Sequence, residues 1–121
     1  MIARHLIKGR WAERKAHFYL KRRNYRLLEK NFRSRFGEID LIMQKRSLII
    51  FVEVRYRSTD SHGTPADTVT ACKQRKIRLT AECFLIKHRL YDQVNCRFDV
   101  IEISPRKIQW HPNAFQANNR T

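Results

Sequence analysis

The chain has 121 residues, a length that suits one domain, expected over residues 1–115 with a disordered tail over 116–121. Lys and Arg number 26 against 11 Asp and Glu, a formal net charge of +15. Like charges repel in a compact state, so this excess implies a polyanionic partner: DNA first, then RNA, then an anionic membrane surface, with the generic basicity of a ribosome-associated protein as the bland alternative.

Met1 to Trp11 is charged and lacks an apolar core, so no signal peptide is expected. A helix is predicted from about Lys8 to Arg22. Ala12, Ala16, Tyr19 and Leu20 form its apolar stripe at 3.6 spacing, and Arg10, Arg14, Lys15, Lys21 and Arg22 cover much of the remaining surface. Tyr25 to Phe32 reads as a strand. Gly37 then punctuates the chain before a clearer strand, Glu38 to Gln44. Lys45-Arg46 is a short turn, and a third strand runs from Ser47 to about Arg57. Its segment Leu48 to Val52 is the longest strongly apolar run, far short of the roughly 20 residues of a membrane helix, so no membrane span is expected.

Ser58 to Thr64 is polar, contains Gly63 and reads as a loop. A second helix follows, beginning at Thr64-Pro65-x-Asp67 or at the rival cap Thr70 and reaching His88. Ile77, Ala81, Phe84 and Leu85 are its core face. Cys96 to Ile103 alternates as a strand, Ser104-Pro105 turns the chain, and Lys107 to Trp110 is a last short strand. The order αβββαββ is an α/β arrangement, a mixed central sheet flanked by helices. Cys72, Cys83 and Cys96 form no CxxC pair and signal neither zinc nor a disulfide framework; reduced thiols in a cytoplasmic protein are expected.

The chemistry concentrates on the two strands around Lys45-Arg46. Alternation gives one face Ile39, Leu41, Met43, Leu48, Ile50, Val52, Val54 and Tyr56, all suited to packing under a helix. The other face carries Glu38, Asp40, Ile42, Ile49, Phe51, Glu53, Arg55 and Arg57, apolar near the turn and charged at the far end. A two-residue loop at Lys45-Arg46 pairs Asp40 with Phe51 and sets Asp40 and Glu53 diagonally, Cβ atoms roughly 7 Å apart or less. A four-residue loop places them directly opposite, and a three-residue loop puts them on opposite faces. Clustered carboxylates repel unless they share protons, pair with cations or hold a metal. Hard oxygen ligands with open positions suit Mg²⁺ or Mn²⁺. The plain alternative is that Glu53 pairs with Arg55 or Arg57 on a solvated sheet face.

Gly37-Glu38-Ile39-Asp40-Leu41-Ile42 followed by Phe51-Val52-Glu53-Val54-Arg55-Tyr56-Arg57 resembles the YraN family of small bacterial proteins. Gly9-x-x-Ala12-Glu13, Lys73-Gln74, Arg97-Phe98-Asp99-Val100, Trp110 and Asn113-Ala114-Phe115 extend the resemblance along nearly the whole chain. The resemblance implies a restriction-endonuclease-like core similar to archaeal Holliday-junction resolvases. Carried over by position, a helix Glu, a strand Asp and a Glu-x-Lys fall on Glu13, Asp40, Glu53 and Arg55. Arg55 departs from the pattern, because Arg stays protonated and is no base, although it stabilises charge on phosphate. Lys73 lies whole turns before Ile77 and Ala81 and is a candidate substitute for the missing lysine.

The expected function is therefore a metal-dependent endonuclease, or a nuclease-related protein, acting on DNA, with branched or single-stranded DNA favoured by analogy. Asp40, Glu53 and Arg55 are the expected catalytic residues. Asp40 and Glu53 hold Mg²⁺ or Mn²⁺ with help from Glu13 or the Glu38 carbonyl or side chain, and Arg55, Arg57 and Lys73 contact nucleic acid. The alternatives are a catalytically silent DNA-binding module on the same fold and a ribosome- or RNA-associated interaction protein. Asp99 reads as a structural partner for an Arg. His5, His17, His62, His88 and His111 show no ligand spacing. Trp11, Tyr56 and Trp110 read as core or rim packing, with base stacking as the rival reading.

Overall fold

The computed structural model describes residues 4–57 and 69–116. The elements are α1 (Arg4–Lys21), β1 (Arg26–Arg33), β2 (Glu38–Lys45), β3 (Leu48–Tyr56), α2 (Ala71–Lys87), β4 (Asn95–Ile103) and β5 (Ile108–Phe115). The order αβββαββ is the one the periodicities predict. The five strands form one sheet in sequence order, β1-β2-β3-β4-β5. Only β3 and β4 run parallel, because the return through α2 brings the chain back to the end of the sheet from which β3 began. The other pairs are antiparallel, so the sheet is mixed.

Each face of the sheet is covered by one helix. Ala12, Ala16 and Leu20 of α1 are buried against Leu41, Met43, Ile50, Val52, Ile101 and Ile103. Two alanines on this stripe bring the helix close to the sheet. On the opposite face Ile77, Ala81 and Phe84 of α2 pack on Ile42, Ile49, Phe51, Phe98 and Val100. Leu85, expected to face the core with them, is only partly buried. The alternation of the hairpin thus sorts as expected, with one exception. Ile39 belongs with Phe32 and the α2-side cluster, because regular β2–β3 pairing stops at Leu41↔Val52 and the alternation slips beyond it.

Most boundaries lie within a residue of expectation, and the departures that matter are these. Helix α1 starts at Arg4 rather than Lys8, and it ends where Asn24 (φ 73°) lets the Arg23 and Tyr25 N–H groups close on the Leu20 carbonyl. Strand β1 starts one residue later and carries an irregularity between Leu27 and Glu29. Strand β5 continues past Trp110 to Phe115, across Pro112. An edge strand tolerates this proline, and a register shift opposite Phe98 and Val100 absorbs it, with Asn113 at φ 55°. Helix α2 begins after Thr70, whose side chain accepts the Lys73 N–H, and the rival start at Thr64 lies outside the described residues. The Ser58–Thr64 loop, His62 and the tail from Ala117 also lie outside them.

Candidate functional site: a carboxylate pair where two central strands part

The β2–β3 ladder runs from Lys45↔Leu48 to Leu41↔Val52. Its turn is Arg46-Ser47, one residue later than the sequence pattern suggests, with Arg46 at φ 57° as tight hairpins require of their first turn residue. Lys45 stays in the ladder, and its Nζ lies 5.4 Å from the centre of the Tyr25 ring. This register, continued one step past Leu41↔Val52, brings Asp40 level with Glu53, the arrangement the longer loop had offered. The backbone pairing does not continue that far. Instead the Asp40 carboxyl stands in for a ladder carbonyl: its Oδ2 accepts the Val54 N–H at 2.8 Å.

The Asp40 and Glu53 side chains lie within hydrogen-bonding reach of one another. Burial above all, then that contact and the charge of Glu53, push the Asp40 carboxyl up to about 9; the Val54 N–H opposes the rise and the charge of Glu13 adds to it. Asp40 therefore keeps its proton at neutral pH and directs it at Glu53. Glu53 is only 7 % exposed, and its Oε2 lies 2.6 Å from Lys73 Nζ and 4.0 Å from Arg55 Nη2. Lys73 sits in the first turn of α2, an unfavourable place for a cation on helix-dipole grounds, and the contact with Glu53 offsets that cost.

The other predicted residues spread around this pair. Glu13, on α1, is raised from its ordinary value by burial first, then by Glu38 and Glu53, against a bond from Asn31 and the charge of Lys30. Its nearest polar company is a pocket of about 300 Å³ with Arg10, Arg14, His17, Lys30 and Asn31. Glu38 faces Arg33, Oε2 to Nε 3.8 Å, at a half-open position. Arg57 is ion-paired with Glu102, whose other oxygen is 3.2 Å from His111 Nε2. Arg57 is therefore tied to β4 rather than held open. Glu102 and His111 carried no signal in the sequence beyond their alternation, since the contact depends on the parallel pairing of β3 with β4.

Asp99 is fully buried and wholly structural. It accepts from Arg97 at both oxygens, from Trp110 Nε1 and from the Asn113 N–H, all at 2.9 Å. This also removes Trp110 from the candidates for base stacking, because its indole is held inward between Tyr19 and Tyr25.

Among the described residues no group of three or more His, Cys, Asp or Glu side chains is gathered as a metal cage. The donor set is the two-carboxylate pair. Two oxygen donors suit a Mg²⁺-type ion, which keeps several waters, and do not suit a closed zinc or calcium site.

A mixed sheet with the order αβββαββ, helices on both faces and an acidic pair at the parting of β2 and β3 is a restriction-endonuclease-like core. The chain belongs to the uncharacterised protein family UPF0102, whose model matches residues 12–103, and this bears out the YraN resemblance. It is similar to a UPF0102 protein of Coxiella burnetii (strain RSA 331 / Henzerling II), 45 % identical over 106 residues, covering 87 % of this chain and 88 % of the relative. A UPF0102 protein of Vibrio parahaemolyticus is 44 % identical over 108 residues, covering 88 % of this chain and 89 % of that one. One from Lachnoclostridium phytofermentans is 38 % identical over 111 residues, covering 92 % and 94 %.

Proposed function

We propose that this protein binds DNA and hydrolyses its phosphodiester backbone with a divalent cation held by Asp40 and Glu53. The observation that carries the reading is the buried Asp40–Glu53 pair, with Lys73 Nζ 2.6 Å from Glu53, in a chain of net charge +15. A buried acidic pair costs stability, and a catalytic site is a common reason to keep one. Asp40 and Glu53 would hold Mg²⁺ or Mn²⁺, which would supply Lewis-acid activation of the phosphoryl group and of water. The chain's own residues do the rest. Asp40 is anchored by the Val54 N–H, so its carboxyl is held facing Glu53. Lys73 and Arg55 bring positive charge to the same edge, where they receive a phosphate and stabilise charge on it. Lys73 supplies the lysine that Arg55 replaces, from a helix rather than from the strand. Glu13 and Glu38 are outer members of the site, and Arg57 contacts nucleic acid only at the cost of its ion pair with Glu102.

One observation favours a second reading, a catalytically silent DNA-binding module: Glu53 already has an ammonium partner in Lys73, and Arg55 is no base. Purified protein incubated with duplex, single-stranded and branched DNA plus Mn²⁺ separates the two. Hydrolysis is expected, with Asp40→Ala and Glu53→Ala each losing several orders of magnitude in rate while DNA binding persists or tightens. Absence of cleavage on every DNA shape, with both Mg²⁺ and Mn²⁺, leaves the binding module.

A further inference from the structure

We propose that the outer flank of α1 is a second nucleic-acid contact, a basic groove in which a single strand lays its bases on Phe18 and Trp11 and its phosphates on the surrounding arginines and lysine. It rests on the reading that the chain acts on nucleic acid and adds the strand form recognised. The groove, of about 950 Å³, lies between α1 and the start of β5. Arg14, Lys15, Arg22 and Arg23 line it, and no acid does. Four cations around one concavity attract a polyanion and repel one another without it.

Phe18 stands 64 % exposed in their midst and belongs to neither core cluster. An isolated exposed phenyl needs no explanation. This one lies among aromatics that are already braced. Trp11 packs edge-on against Tyr56, and Lys15 Nζ lies 4.8 Å from its ring centre. Tyr19 packs edge-on against Trp110, and the Arg23 guanidinium lies 3.5 Å from its ring centre while donating to the Tyr19 carbonyl. Two of the four cations, Lys15 and Arg23, are therefore held in place by rings, which reduces the entropy lost on binding. Aromatic faces bordered by cations are what sequence-tolerant single-strand binding uses, since every base has a face to stack.

Trp11, Lys15, Phe18 and Arg22 recur at i, i+4, i+7 and i+11, so the track follows the helix axis for about 16 Å. Arg14 borders both this groove and the smaller pocket that holds Glu13. A strand in the groove thus comes over the crest of α1 toward the Glu13 pocket. An anionic membrane is a poorer occupant. Interfacial helices bury a whole apolar face, whereas among the described side chains of α1 the large apolar one that projects is Phe18, and Ala12, Ala16 and Leu20 are packed on the sheet.

The test measures binding by the full chain of a short oligothymidine, of duplex DNA and of vesicles with about 30 % phosphatidylserine, an anionic surface. Phe18→Ala is expected to weaken oligothymidine binding about fivefold or more, the effect of losing one stacked base, and to change duplex binding less than twofold. Arg14→Glu with Arg22→Glu is expected to weaken oligothymidine more than Arg46→Glu with Arg75→Glu, a pair of equal charge change on the hairpin tip and α2. The groove is wrong if Phe18→Ala leaves oligothymidine affinity within twofold, if the two charge pairs lose equally, if wild type binds no oligothymidine, or if Phe18→Ala removes vesicle binding alone. Cleavage reads separately: strand binding through the groove without hydrolysis sinks the enzyme reading and keeps the groove, and hydrolysis unaffected by Phe18→Ala with unchanged strand affinity does the reverse.

Discussion

Replacing Asp40 by Asn is expected to stabilise the fold at neutral pH, and the pH dependence of that gain is the sharpest check on the carboxylate pair. The native carboxyl accepts the Val54 N–H at 2.8 Å and presents a proton to Glu53. An amide reproduces both roles, Oδ1 accepting and Nδ2 donating, and never ionises. In the unfolded chain the Asp40 carboxyl ionises near about 3.9. In the folded chain it holds its proton up to about 9. A carboxyl raised by folding stabilises fully below the unfolded value, and that contribution is lost as pH climbs from about 4 through about 9. At pH 7 about three pH units have been crossed at about 1.4 kcal/mol each, so wild type forgoes at most about 4 kcal/mol. Asp40→Asn is therefore expected to match wild type near pH 4 and exceed it by about 1 to 4 kcal/mol near pH 7. Urea unfolding of both proteins at several pH values between these limits measures the difference, in which other titrating groups cancel. Millimolar Mn²⁺ should close the gap at neutral pH by raising wild type alone, because the ion displaces the proton that the amide cannot release. A variant no more stable than wild type at any pH, or a gap that does not widen with pH, refutes the buried proton.

Three further outcomes are expected. Asp99→Ala leaves the Arg97 guanidinium, the Trp110 indole N–H and the Asn113 N–H without their acceptor, and should cost about 3 to 5 kcal/mol in chemical unfolding; a loss under about 1 kcal/mol contradicts its structural role. DNA affinity should fall steeply with salt, by about 0.9 in log–log slope per phosphate neutralised on duplex, and Arg55→Glu with Lys73→Glu should flatten that slope. Equal affinity at low and moderate salt counts against the electrostatic reading. In single-turnover cleavage with Mn²⁺, Arg55→Lys should run at a comparable or lower rate, since it loses the planar fork, and Lys73→Met should be slower still. A rise in rate with Arg55→Lys instead identifies position 55 as the place where a lysine base belongs.

Much of the arrangement was legible in the sequence because it is periodic. The 3.6-residue stripe Ala12, Ala16 and Leu20 and the two-residue alternation of β2 and β3 each report one element's own geometry, and both appear on the predicted faces except at Ile39. Asp40 and Glu53 were recognisable as a pair for the same reason. Element ends were less legible. Pro112 reads as a strand breaker, and only its place on the sheet edge, opposite a register shift, lets β5 run on to Phe115. Phe18 could have been found from the sequence, since the helical wheel puts it outside the Ala12–Ala16–Leu20 stripe, but an exposed phenylalanine on a helix carries meaning only once its neighbours in space are known.

The sequence by itself determined the charge, the order αβββαββ, the helix and strand faces and the identity of the acidic residues, all properties of short stretches of chain. The tertiary structure decided what depends on contacts between distant stretches. It set the hairpin register through a turn one residue later than expected, ended the ladder so that Asp40 takes the Val54 N–H, and brought Lys73 across from α2 to Glu53. It also bound Arg57 to Glu102 on the neighbouring parallel strand and left Glu13 beside Asn31. Each of these turns on the packing of side chains far apart in the chain, whose distances no local periodicity records.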